Sequence, residues 1–290
     1  ELDAVLADLP FSGLRKVHRR SPGGDSPDLR GTLALEIPAD ELPAARQRLL
    51  ELPQVEWVEE SGVLRAQAST RDPYSHLLWG LDAIHAPEVW PFTTGDCETL
   101  VAILDTGVRT DLLEFAGRVV ETKGYDFMDD DPDPTDRHGH GTWVASVLLA
   151  AANNEAAVAG VAPGVCFFPV KVLGDDGEGS FEAVATGIVH AADQGARVIN
   201  ISAGCDCSSN SIEEALKYAA TQKDVIVVAA AGNDGVGRVH FPASSLWTLA
   251  VGAVDRDLSL APSSNWGEET DLVAPGVDVV GTFWNGESCS

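Results

Sequence analysis

Five short, mainly apolar runs recur through the last two thirds of the chain: Leu100 to Leu104, Phe167 to Val172, Val198 to Ile201, Val225 to Ala230 and Leu249 to Val254. Runs of this length without alternation predict strands buried on both faces, as in a parallel sheet. Between them lie stretches with helical spacing, at Thr142 to Ala151, Ser180 to Asp193 with Gly195 as a stop, and Ser211 to Ala220. Ser211 and Glu214 stand at capping-box spacing. Strands alternating with helices predict a three-layer α/β domain, its sheet mainly parallel and covered by helices on both faces. Such sheets carry their chemistry at the carboxyl ends of the strands.

The first seventy residues are patterned differently. A Gly/Pro/Ser-rich stretch from Ser21 to Pro27 precedes an apolar run from Thr32 to Ile37, and Leu42, Ala45, Leu49 and Leu50 then follow a helical period that stops at Pro53. Two alternating segments, Val55 to Val58 and Val63 to Ala66, flank Ser61-Gly62 and predict a strand pair. Residues 1–70 therefore form a small α+β unit and residues 71–290 the α/β domain. The polar segment Arg65 to Asp72 between them has the character of a cleavable linker.

Charge narrows the range of partners. Lysine and arginine number 19 against 45 aspartates and glutamates, a formal net charge of −26. Such a field repels phosphate backbones and anionic surfaces, which argues against nucleic acid, and it suits cations wherever carboxylates cluster. No apolar stretch approaches membrane-spanning length. The chain opens on Glu1 with no charged-then-apolar leader, as expected after removal of a signal peptide or at an internal start. The five cysteines are too few for a disulfide scaffold; one or two bridges fit, with connectivity open. Cys205 and Cys207 have no companion cluster that would make a zinc site.

Three residues carry candidate chemistry. Asp105 ends the first long apolar run, His140 lies in His138-Gly139-His140-Gly141-Thr142 ahead of an apolar helix, and Asn233 follows a buried run through Ala231-Gly232. Singly they also read as a sheet-end cap, a loop or metal histidine, and a turn. In this order and with these flanks, the chain from about Asp72 to Ser290 resembles the subtilisin family. The matching stretches are Val101 to Gly107, His140-Gly141-Thr142, Gly160 to Pro163, Val198 to Ser202, Ala229 to Asn233 and Ala274-Pro275-Gly276.

The resemblance implies a serine endopeptidase acting on polypeptides. Asp105 would orient His140, His140 would serve as general base and then general acid, and Asn233 would donate its amide to the oxyanion. That last interaction is worth about 2.7–4 kcal/mol in such enzymes. Trp143 departs from the family at a position where a second, non-catalytic histidine is usual. Gly177-Glu178-Gly179 and Ser202-Ala203-Gly204 resemble the segments that bind the substrate backbone on either side, and the small residues at Ala203, Gly204 and Ala229 to Gly232 imply an open primary pocket. The family's Gly-Thr-Ser-x-Ala motif, which bears the nucleophile, does not occur in the 290 residues. Ser288 and Ser290 lack its flanks, so the expectation is a chain cut short of its serine and inactive as it stands.

The resemblance also implies calcium. Asp126, Asp129, Asp131, Asp133 and Thr135 have the spacing of a calcium loop in thermitase-like subtilases, while Asp72, Glu114 and Asn154 resemble the side-chain ligands of the family's strong site. The N-terminal unit resembles the family's inhibitory propeptide, a ferredoxin-like α+β prodomain with Val55 to Glu60 as its most recognisable strand. The expected protein is thus a secreted, monomeric zymogen. Two other readings stay open: a non-catalytic peptide-binding domain of the same fold, and a calcium-bound surface protein.

Overall fold

The computed structural model describes residues 9, 11–16, 32–59, 71–283 and 288–289. The chain divides into two compact units, Glu1–Ala66 and Gln67–Ser290.

In the first unit, β1 (Gly13–Lys16) pairs antiparallel with β2 (Leu33–Glu36), with Leu14 opposite Leu35. Helix α1 (Leu42–Leu50) carries a proline in its first turn, where the ring's fixed φ suits helix entry. Ala45 and Leu49 turn inward onto Leu9, with Phe11, Leu35, Ile37, Leu52 and Val58 around them. The strand expected at Val55 to Val58 is not one: these residues pair with no strand among the described residues. Val58 instead packs on the helix as part of the small core. The Ser21 to Pro27 stretch and the expected strand at Val63 to Ala66 lie outside the described residues.

The second unit is built on seven parallel strands in the order β4-β5-β3-β6-β7-β8-β9. They are β3 (Leu100–Asp105), β4 (Tyr125–Asp126), β5 (Cys166–Lys171), β6 (Val198–Ile201), β7 (Ile226–Ala230), β8 (Thr248–Val254) and β9 (Leu272–Pro275). Every residue of β3 is buried, which explains its unbroken apolar run. Leu100, Ala102 and Leu104 join one core, with Val170, Ile188 and Leu216. Val101 and Ile103 join another, with Phe115, Val144 and Phe167. The period-two alternation of a strand thus feeds two separate cores. α5 (Phe181–Asp193) and α6 (Asn210–Gln222) supply the first, and α4 (His140–Leu149) the second. The short helices α2 (Trp79–Ala83) and α3 (Ala86–Val89) precede β3.

Differences from expectation concern edges and caps. Strands β4 and β9 extend the sheet at either side beyond the five predicted strands. Helix α4 begins two residues before the predicted start, at His140. Ser209, not Ser211, caps α6: its side chain accepts from the Ile212 N–H, while Ser211 Oγ lies 2.9 Å from Ser209 Oγ. Disulfides join Cys97 to Cys166 and Cys205 to Cys207. A two-residue ribbon, β10 (Gly281–Thr282) with β11 (Ser288–Cys289), places Ser288 opposite Thr282 in a strand.

Candidate active site

Asp105 is the last residue of β3 and has no solvent exposure. His140 is the first residue of α4, entered through Gly139 at φ +109°. Asp105 Oδ1 lies 2.7 Å from His140 Nδ1 and also accepts the Thr106 N–H at 2.8 Å. Asp105 Oδ2 is buried with no partner among the described residues.

Close backbone approach makes the meeting possible. A Cβ on Gly141 would stand 2.1 Å from the Gly107 carbonyl oxygen and 3.1 Å from Asp105 Cβ, so any side chain there would push the helix off the strand end.

Asp136, which sequence patterning did not single out, ties these pieces together. It is 1% exposed. Its Oδ1 accepts from Thr106 Oγ1 at 2.9 Å and from the N–H groups of His138 and Gly139 at 2.9 and 2.8 Å. Its Oδ2 accepts from the N–H and hydroxyl of Thr142 at 2.9 and 2.6 Å. One carboxylate thus satisfies the open N–H groups at the start of α4 and grips the residue next to Asp105. Thr106 Oγ1 in turn accepts from the Gly141 N–H at 3.0 Å. Behind them, the buried Lys171 ammonium donates to the carbonyls of Thr106 and Leu173 and to Asp175.

The His140 pKa is raised above the ordinary histidine value. The hydrogen bond to Asp105 is the largest cause; burial opposes it, and the charges of Asp105 and Asp136 add to it. A base whose protonated form is stabilised in this way is suited to accept a proton during a reaction and hold it briefly. Part of the ring stays open to solvent, with 40% of the side chain exposed. His138 takes no part in this pair. Its Nδ1 accepts from the His140 N–H at 3.3 Å, and its ring faces Gly177, where a Cβ would meet Nε2 at 3.1 Å.

Asn233 is exposed just beyond the carboxyl end of β7, two strands from β3 with β6 between. At the usual inter-strand spacing that offset is about 10 Å. The loop carrying it is held by Asn265, fully buried and likewise unanticipated from the sequence. Asn265 donates its own N–H to the Gly232 carbonyl and accepts on Oδ1 from the N–H groups of Asp234 and Val236.

Ser202, Ala203 and Gly204 continue directly from β6 without strand pairing, whereas Gly177, Glu178 and Gly179 lie in and just after a turn closed by Gly174 N–H to the Glu178 carbonyl. Neither segment is paired as a strand among the described residues. The space between Ser202–Gly204 and Ala231–Asn233 is not fully open, because the His240 side chain stands in it.

The residues read as calcium ligands are engaged elsewhere. Asp126 is buried and caps the Met128 and Asp129 N–H groups. Asp131 accepts from the Asp133 N–H, Asp133 accepts from the Thr135 hydroxyl, and Arg137 lies 3.9 and 3.8 Å from Asp129 and Asp133. Among the described residues no three His, Cys, Asp or Glu side chains converge as a metal cluster. In the second set, Asp72 accepts from the N–H groups of Asn153, Asn154 and Glu155, which brings Asp72 and Asn154 together. Glu114 is buried and accepts from the Thr282 hydroxyl at 2.9 Å.

Residues 96–289 match the subtilase family. The chain is 41% identical over 232 residues to the thermophilic serine proteinase of Bacillus sp. strain AK1, covering 80% of this chain and 57% of that protein. It is 38% identical over 213 residues to thermitase of Thermoactinomyces vulgaris, covering 73% and 75%. A solved cold adapted subtilisin-like serine proteinase aligns with a TM-score of 0.60 at 31% identity over 67% of this chain and 68% of that one. The chain belongs to the subtilase family, a family of serine endopeptidases. It spans little more than half the length of the Bacillus proteinase. Among the described residues no helix is long and apolar enough to cross a membrane.

Proposed function

We propose that this chain carries the acid, base and oxyanion donor of a subtilisin-type endopeptidase that cleaves polypeptides through an acyl-enzyme. The observation that supports this best is the 2.7 Å contact between a fully buried carboxylate and a half-exposed imidazole at the carboxyl edge of a parallel sheet. In this reading, a serine Oγ of the family's Gly-Thr-Ser-x-Ala segment attacks the peptide carbonyl carbon as its proton passes to the outer nitrogen of His140. Asp105 holds the ring and stabilises the imidazolium, and the Asn233 amide donates to the carbonyl oxygen as it becomes an oxyanion. His140 returns the proton to the departing amine, and water repeats the sequence on the acyl-enzyme. A non-catalytic peptide-binding role gives no reason for a buried carboxylate to hold a solvent-reaching imidazole at 2.7 Å.

Three further features belong to the proposal. Residues 1–70 act as a propeptide that inhibits the protease until it is cut away near Asp72. Calcium stabilises the acidic loop and the Asp72, Glu114 and Asn154 site. The mature enzyme works as a secreted monomer.

One experiment tests the proteolytic reading. The protein carrying its serine segment should cleave a chromogenic peptide, react with a serine-directed phosphonate, and convert by mass spectrometry to a chain starting near Asp72. His140→Ala should abolish all three, and His138→Ala should leave most of the turnover. Turnover that survives His140→Ala would refute the assignment.

A further inference from the structure

The arm Ser202–Gly204 leaves β6, and the arm Ala231–Asn233 leaves the neighbouring strand β7. Small residues on both arms suggest a deep slot between them. The His240 side chain reaches into that slot, beside Asn265 Nδ2 and the Phe241 carbonyl oxygen. A Cβ built on Gly204 would meet His240 Cβ at 3.3 Å, and one built on Gly232 would meet the imidazole Cγ and Nδ1 at 2.9 Å. His240 therefore lies against both arms, where a side chain on Gly204 would also meet the Phe241 carbonyl oxygen at 2.9 Å and one on Gly232 would meet Asn265 Nδ2 at 2.3 Å. Gly232 also sits at φ +113°, so its lack of a side chain is required twice.

Backbone bonds to each arm fix the segment that carries the ring. The His240 N–H donates to the Ala231 carbonyl at 2.8 Å, on the β7 arm. Its neighbour Phe241 exchanges two backbone hydrogen bonds with Cys205, on the β6 arm, at 2.9 and 3.0 Å. The Asp234 carboxylate lies 2.9 Å from His240 Nε2, close enough for an ion pair although out of line with the ring N–H. Only 12% of the His240 side chain is exposed, whereas Asp234, next to Asn233, is 61% exposed at the mouth.

We infer that His240 is a specificity-determining residue: it closes the base of the slot that takes the side chain preceding the scissile bond, and restricts that side chain to short ones such as alanine or serine. The inference rests on the proteolytic reading for the identity of the slot. An imidazole takes up volume that an aromatic ring would need, and with 12% of its side chain exposed it is largely enclosed where it stands. Pocket volume discriminates strongly, since a difference of one methylene shifts selectivity by about 10–200-fold.

The test compares two peptide substrates that differ only in the residue before the cut, alanine or phenylalanine, using the protein with its serine segment. The native protein should have the higher kcat/KM for alanine. His240→Gly should raise the phenylalanine-to-alanine ratio at least tenfold, while His240→Gln, which keeps polar bulk, should leave the ratio near its native value. A native preference for phenylalanine, or a ratio unmoved by His240→Gly, would overturn the inference.

A second measurement needs no turnover. In residues 1–290, the His240 ring resonances should shift on adding an acetylated tripeptide acid that ends in alanine and stay put with one that ends in phenylalanine. If no variant cleaves any peptide but this selective shift is present, the proteolytic reading fails and the slot assignment stands. If neither peptide moves the resonances, or both do so equally, the slot assignment fails.

Discussion

The Asp105–His140 contact depends on residues that do not touch it through their own chemistry. Asp136 binds five donors drawn from Thr106, His138, Gly139 and Thr142, so its charge and both its oxygens are in use. Asp136→Asn replaces one acceptor with an NH2 group that faces N–H donors. The cost should be about 1.5–3 kcal/mol, the range for hydrogen bonds to a charged group. It also removes one of the negative charges that raise the His140 pKa, after the Asp105 hydrogen bond and charge. An NMR titration of His140 should therefore show its pKa moving down toward the ordinary value near 6.5, and the acid limb of peptidase activity should move down with it. A purely structural role would lower stability and leave the titration where it was.

Stability and activity depend on this histidine in opposite senses. Its folded pKa is raised, so its pairing with Asp105 contributes fully below the unfolded pKa and fades as pH rises through the folded value. As the general base of the proposed reaction, by contrast, it would work only once it has lost its proton. Asp105 and His140 were legible in the sequence through their order and their flanking residues, which resemble one family, and each also sits at the end of a strand or the start of a helix. Asp136, Asn265 and His240 were not, because their roles come from partners distant in the chain: Asp136 grips Thr106 and Asn265 grips Gly232.

At the scale of elements, what could be read was what is buried. Strand β3 shows as an apolar run because both of its faces feed a core, and β6 was predicted with its observed boundaries. Strand β9 lies at the sheet edge with Leu272 and Val273 more than half exposed, so burial imposes no pattern on it. Strand β4 is two residues long, too short for any period to register. The start of α6 was misread for a local reason: three serines, Ser208, Ser209 and Ser211, crowd one turn, and only the backbone geometry decides which hydroxyl reaches an open N–H. Ser180 at the head of α5 had no such competitor; it accepts from the Ala183 N–H at 3.1 Å. Ser180→Ala should cost about 1 kcal/mol, within the 0.5–2 kcal/mol range for losing an N-cap. Ser211→Ala should cost less than Ser209→Ala in the same chemical denaturation assay. Equal losses at Ser209 and Ser211 would mean that both hydroxyls share the cap.

At the scale of the whole molecule the dominant quantity is the net charge of −26. Self-repulsion of that size opposes compaction, and it is concentrated where Asp129, Asp130, Asp131 and Asp133 crowd one loop with Arg137 as the neighbouring cation. Asp129 and Asp133 keep 64% and 60% of their side chains exposed, so an ion could reach both from solvent in competition with Arg137. Two effects of added calcium then have to be separated. Any salt screens the repulsion, with a Debye length near 10 Å at about 0.1 M. A bound ion adds mass-action stabilisation of about 2.7 kcal/mol at a hundred times its dissociation constant. For a domain of about 150–250 residues that corresponds to roughly 5–11 °C in melting temperature. Calcium should therefore raise the melting temperature above that in sodium chloride of matched ionic strength, and chelator should remove the difference. Asp129→Ala combined with Asp131→Ala should shrink the calcium-specific part and leave the sodium chloride response largely in place. If the calcium and sodium chloride curves coincide at equal ionic strength, the acidic loop is a solvated surface and its carboxylates act only as N–H caps and as partners of Arg137.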